Sequence, residues 1–176
     1  MTDIIKQPFQ EEVNDKILYF AKVKETAIIP SKRVEDGCYD IYADQALKLI
    51  IINPNEIVTI PTGIASAFSS KYRLDFQRER GSTGSIGLVP RCGQVDSGYR
   101  GEVFIKLQNV TNRTIIITDN KEIIALGDYV VYPMSKAICQ AALEIVPEVD
   151  VIEITPEQLE SIPSERGKGK IGSSNK

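Results

Sequence analysis

The chain has 176 residues, 42% of them hydrophobic and 26% charged, and a formal net charge of −3. That length suits one domain with a real core, the acidic balance leaves no global electrostatic footprint for nucleic acid, and no apolar stretch approaches the roughly 20 residues of a membrane helix. Histidine is absent, which excludes imidazole-based triads and His-ligated zinc and leaves acid–base chemistry near neutral pH to carboxylates, water or a metal.

In chain order, residues 1–16 are polar and read as an N-terminal extension. They lack the basic start and apolar run of a secretory leader, so a cytoplasmic protein is expected. Cys38, Cys92 and Cys139 lie far apart in no CxxC pattern, which predicts reduced thiols. From residue 17 onward, short runs rich in Ile, Val, Tyr and Thr recur: "ILYFAKV", "YDIYA", "LKLIII", "EIVTI", "VFIKLQNV", "RTIIIT", "YVVYPM", "LEIV" and "DVIEI". Turn signals such as "NPNE", "PTG", "DSG" and "TDNKE" separate them. Each strand needs a facing layer to bury its apolar side, so an all-β sandwich or barrel is predicted over 17–155. The stretch "MSKAICQAALEIV" is open between helix and strand. At 156–176 the composition shifts to Pro, Glu, Ser, Gly and Lys. There "TPEQLES" suits one or two helical turns capped by Thr155 with Pro156 in the first helical position, and beyond Pro163 nothing sustains structure without a partner.

Four segments carry residues suited to chemistry. "EDGCYDIYADQ" sets Asp40 inside an apolar run, on the same face as Cys38 and Tyr42 by alternation; a carboxylate there is either at a wet strand end or used. "RERGSTGSIG" offers amides, hydroxyls and guanidinium forks, the groups that bind phosphate, without P-loop spacing. "GQVDSGYRGEV" reads as a hairpin whose tip exposes backbone donors and acceptors beside Asp96 and Tyr99. The tail "GKGKIGSS" can bend around phosphate oxygens at its glycines, although it follows no strand as a dinucleotide fold would require. Taken singly, each is at least as readable as an ordinary strand, loop, turn or frayed end.

Their order resembles the five motifs of the trimeric dUTP pyrophosphatases, of phage or Gram-positive type: "GCYDIYA", "RGSTGS", "GQVDSGYRGE", "SKAICQ" and "RGKGKIGSS". The resemblance implies an all-β, β-barrel-like jelly roll and a homotrimer with sites between subunits, each closed by a mobile C-terminal arm. It implies hydrolysis of dUTP to dUMP and pyrophosphate with Mg²⁺. Asp96 then matches the general base that activates water against the α-phosphorus, and Tyr99 the wall under the deoxyribose. Gly93, Gln94 and Val95 belong to the backbone that reads uracil. Asp40 matches the carboxylate that reaches Mg²⁺ through water. Arg80, Gly81, Ser82, Gln140, Arg166 and Ser173 match phosphate contacts, and Ile171 and Gly172 the lid.

The sequence departs from the family pattern in four places. Cys38 stands for the glycine before the first-motif tyrosine, Gly81 for a serine, Ser135-Lys136-Ala137 for Gly-Asp-Arg, and Ile171 for the lid aromatic. Two other readings stay open: a regulatory protein of the same fold acting through a protein partner, and a dCTP deaminase. The deaminase reading is opposed by Lys106, which stands where that family's glutamate would be.

Overall fold

A computed structural model describes residues 13–124 and 127–169. The chain divides into two units, Met1–Val146 and Pro147–Lys176. In the first, the described residues form β1 (Tyr19–Lys22), β2 (Tyr39–Ile41), β3 (Leu49–Ile52), β4 (Ile57–Pro61), β5 (Ile64–Ala67) and β6 (Tyr72–Arg78), then a single helical turn, α1 (Gly81–Gly84). The strands β7 (Leu88–Pro90), β8 (Gln94–Asp96), β9 (Phe104–Asn109), β10 (Thr114–Thr118), β11 (Tyr129–Tyr132) and β12 (Cys139–Ile145) follow. They pair in the orders β1-β5, β11-β10-β3, β2-β12-β6-β8 and β4-β9-β7. All pairings are antiparallel except β10 with β11.

Alternation explains the burial. In β9, Ile105, Leu107 and Asn109 point inward while Phe104 and Lys106 face out; Leu74 and Phe76 do the same for β6. Ile41, Ile52, Ile60, Ile115 and Ile117 join them in one core shared by the sheets, which is the facing-layer arrangement of a jelly roll. Asn109 is one of several polar residues buried in this unit. It is satisfied by donating to Ile52 O at 3.0 Å and Arg113 O at 2.7 Å, so its burial carries no orphan penalty. The turn into β5 depends on Gly63, at φ +70, where a Cβ would stand 2.9 Å from Ala27 Cβ.

The structure settles one open sequence reading and corrects others. "MSKAICQAALEIV" resolves to strand over Cys139–Ile145, because its Ala and Cys side chains fill the core between β2 and β6. The hairpin is wider than "DSG" suggested. Its arms are β7 and β9, with Pro90 opposite Leu107, while β8 turns away at the tip to pair with β6. The run "DVIEI" is not a strand, since no described strand pairs with it. No helix among the described residues is long and apolar enough to cross a membrane.

In the second unit, α2 (Pro156–Ser161) has a capping box. Thr155 Oγ1 accepts from Gln158 N at 3.2 Å, and Gln158 Oε1 accepts from Thr155 N at 2.8 Å. Past Pro163 the chain is more ordered than expected as far as Gly169. Gly167 N donates to Ser164 Oγ and Gly169 N to Arg166 O, each at 3.1 Å, and Lys168 pairs with Glu160.

Candidate active site

Asp40 lies on the edge strand β2, directly opposite Gln140 on β12. Beyond it the chain closes a loop through Asp40 N donating to Ser31 O at 3.0 Å. Gln140 Nε2 donates to Asp40 Oδ1 at 3.1 Å. Arg80, the residue that caps α1, donates to the same oxygen through Nε at 3.1 Å and to Oδ2 through Nη2 at 3.4 Å. The Asp40 carboxylate beside it pushes the Arg80 pKa further up, so the guanidinium stays charged at any working pH. Three segments far apart in sequence thus meet at one carboxylate.

A directed hydrogen-bond chain continues from there. Arg80 Nη1 donates to Ser82 Oγ at 2.8 Å, and Ser82 Oγ lies 2.9 Å from the Tyr132 hydroxyl, which donates its one proton to Ala137 O at 2.7 Å. Ser82 must therefore be the donor to Tyr132. Its proton is committed, so Ser82 reaches a substrate oxygen as a donor only by giving up Tyr132. Sequence reasoning missed Tyr132, whose run "YVVYPM" signals only a strand. It also missed Ala137's part, which is a backbone carbonyl and so leaves no trace in residue type.

Asp40, Arg80, Ser82 and Gln140 line a cleft of about 590 Å³ together with Gly81 and the loop residues Ser31, Lys32, Asp36 and Cys38. Lys32 Nζ donates to Asp36 O at 2.7 Å and sits 5.7 Å from the centre of the Tyr39 ring, while Arg33 is tied to Asp36 at 3.0 Å. Buried Cys139, next to Gln140, has its thiol pushed well up by burial, and the three cysteines are unbridged.

The third motif stands elsewhere. Asp96 ends β8, exposed, opposite Arg73 on β6; Gln94 and Val95 precede it opposite Asp75 and Leu74, and Gly93 is exposed before them. Tyr99 N donates to Asp96 O at 3.1 Å, closing the turn. Since β2 and β8 are the two edges of one four-stranded sheet, strand spacing puts them about 14 Å apart, and the offset along β6 adds about 17 Å lengthwise. Asp40 and Asp96 of one chain are thus separated by roughly 20 Å. Arg166 lies in the second unit, where its Nε donates to Gly169 O at 3.1 Å. Ile171, Gly172 and Ser173 lie outside the described residues.

No known family profile matches the chain. The deoxyuridine 5'-triphosphate nucleotidohydrolase of Gloeobacter violaceus is 31% identical over 141 residues, spanning 79% of this chain and 82% of that protein.

The chain belongs to the dUTPase family.

The Nautilia profundicola dUTPase is 26% identical over 162 residues, 90% of this chain and 99% of its own length. Among solved structures, the dUTPase of Staphylococcus bacteriophage 80alpha with dUPNHPP superposes with a TM-score of 0.69 at 24% identity, covering 92% of this chain and 99% of that one. A phage phi11 dUTPase mutant, described with a structural Mg(II) ion, gives a TM-score of 0.62 at 21% identity, covering 78% and 96%. The jelly roll of this dUTPase is therefore the fold of its phage counterparts, and its first, second and fourth motifs are the ones that converge within one chain.

Proposed function

We propose that this protein hydrolyses dUTP to dUMP and pyrophosphate at sites completed between copies of the chain. The observation that carries the reading is the convergence of Asp40, Arg80, Ser82 and Gln140 in one cleft, supported by family membership. A guanidinium and an amide poised over a carboxylate suit a metal–triphosphate ligand: the anion takes the donors and the cation takes the carboxylate.

Asp96 acts as general base. Its carboxylate has no hydrogen-bond or ion-pair partner among the described residues, which leaves both oxygens available to orient a water and receive its proton. Proton transfer of this kind contributes about 10²–10⁴-fold. The outer edge of β8, whose inner edge pairs with β6, offers backbone donors and acceptors over Gly93, Gln94 and Val95 to the uracil, and Tyr99 forms the wall under the deoxyribose. Arg80, Gly81, Ser82 and Gln140 hold phosphate oxygens and stabilise charge on the leaving pyrophosphate. Arg166, Ser173, Gly172 and Ile171 close the arm over the ligand.

Mg²⁺ fits this residue set. Among the described residues no cluster of three or more His, Cys, Asp or Glu is placed to hold a metal, and Asp40 already accepts three hydrogen bonds. That matches a cation held chiefly by phosphates and waters, with Asp40 reached through water. When bound, the ion neutralises charge on the phosphates; the residues do the rest by positioning.

The separation of roughly 20 Å between Asp40 and Asp96 supports a site shared between copies; in the family's homotrimer the third motif of one copy then faces the first, second and fourth motifs of its neighbour. The functional division is then an extension over 1–16, the β domain over 17–155 and the arm over 156–176, in a cytoplasmic protein. A regulatory protein partner is the second reading; dUTPases of phage 80alpha, similar in fold, are described as controlling transfer of virulence genes.

Pyrophosphate release from dUTP, dCTP, dTTP and UTP, measured side by side, tests the proposal. Turnover confined to dUTP is expected; turnover of dCTP, or of none, contradicts it.

A further inference from the structure

Tyr99 is 45% exposed, yet its ring is not loose. Its hydroxyl donates to the Glu102 carbonyl at 2.9 Å, which folds the ring back over the residues that follow it. A Cβ on residue 101 would stand 2.4 Å from Tyr99 Oη, 2.6 Å from Cζ and 3.0 Å from Cε2. Carbon contacts settle at about 3.5–4.0 Å, so any side chain at 101 displaces the ring by about 1 Å. Gly101 is not among the positive-φ residues; what glycine supplies there is space for the ring, not backbone conformation.

The other end of the seat is anchored. The Glu102 carboxylate accepts from the Gly63 amide at 2.9 Å and pairs with Lys24 at 3.0 Å, and Lys24 also reaches Asp44 at 3.3 Å. The next residue, Val103, donates to Ile64 O at 2.8 Å and accepts from Thr62 Oγ1 at 2.6 Å. The carbonyl that receives the Tyr99 hydroxyl is therefore held from its own side chain and from the backbone beyond it.

We propose that Gly101 and the anchored Glu102 form a seat that fixes the Tyr99 ring, and that this seat sets the selection of deoxyribose over ribose. The inference rests on the reading of Tyr99 as the wall under the sugar. A ring that excludes a hydroxyl group must stay in place; a ring pushed off its seat can swing and admit the 2′-oxygen. Gly101 and Glu102 are positioning residues, acting only through Tyr99.

The test is the ratio of kcat/KM for dUTP over UTP in the full-length protein. Tyr99→Ala is expected to lower the ratio, and Gly101→Ala to lower it roughly tenfold or more. Tyr99→Phe, which keeps the ring and loses only the bond to Glu102, is expected to lower it by roughly a few fold. In a double-mutant cycle, Gly101→Ala adds nothing to the ratio once Tyr99 is alanine. If Tyr99→Ala lowers the ratio while Gly101→Ala and Tyr99→Phe both leave it within about twofold, the seat is wrong and the reading of Tyr99 stands. A further fall on adding Gly101→Ala to Tyr99→Ala also overturns the seat, since glycine then acts by another route. If Tyr99→Ala itself leaves the ratio unchanged, the sugar-wall reading fails and takes the seat with it.

Discussion

Arg80 grips Asp40 by both carboxylate oxygens, through Nε at 3.1 Å and Nη2 at 3.4 Å. A triphosphate that engages Arg80 must share or replace that grip, and a cation that draws on Asp40 helps to release it. The pair thus couples the anion and cation parts of the ligand at one place.

Arg80→Ala should separate binding from folding. Both partners are partly exposed, so loss of the pair costs stability no more than about 1 kcal/mol. Affinity for a non-hydrolysable dUTP analogue with Mg²⁺, read by calorimetry, should fall roughly 10–100-fold, the worth of a charge-assisted contact. A large drop in melting temperature with affinity intact would assign Arg80 to structure.

How far the sequence foretold this site depends on the kind of interaction. The strand "VFIKLQNV" was legible because alternation reports burial directly, and β9 follows it from Phe104 to Asn109. "TPEQLES" was legible because capping is local, and α2 starts where Thr155 and Pro156 predict. β6 was not, because its "YRLDFQR" mixes charges with the buried Leu74 and Phe76 and places Asp75 between them. Asp40 and Arg80 could be singled out by residue type, and Gln140 only through the motif order of the family it resembles. That Tyr132 would bond Ser82, or that the third motif would stand on the opposite sheet edge, depends on strand order, which no local pattern encodes.

Mixing tests the split site. Copies carrying Asp96→Asn and copies carrying Arg80→Ala should each be nearly inactive. If Asp96 of one copy serves the cleft of another, co-refolding the two should restore a measurable share of turnover through sites that combine the intact halves. Absence of any recovery in verified mixed oligomers would place both halves of the site in a single chain.

Asp44 gives a pH test of the scaffold. It is 3% exposed; burial pushes its pKa up, but the Thr26 hydroxyl, the Ala46 amide and the Lys24 ammonium outweigh burial and hold it below its ordinary 3.8. A carboxyl whose folded pKa is depressed adds stability that is full above its unfolded value and is lost as pH falls through the folded one. Asp44→Asn should therefore cost about 1–3 kcal/mol at pH 7. The gap from wild type should narrow as pH drops below about 4. Denaturant titrations at pH 7 and pH 3 that show equal gaps would remove Asp44 from the acid response.

Removal of 165–176 should cut dUTP turnover sharply while leaving the oligomer intact, as read by sizing and pyrophosphate release. Ile171→Phe tests the lid separately: faster turnover is expected if the family's aromatic lid works by stacking, which contributes on the order of 1 kcal/mol. Unchanged turnover would show that closure here does not depend on an aromatic residue.

The most direct test of the whole account is single-turnover dUTP hydrolysis by wild type and Asp96→Asn, with nucleotide binding measured in parallel. Wild type should release pyrophosphate and dUMP from dUTP. Asp96→Asn should slow that step by about 10²-fold or more while still binding a dUTP analogue. Hydrolysis by Asp96→Asn at the wild-type rate, or a wild type that binds dUTP without cleaving it, would contradict the account.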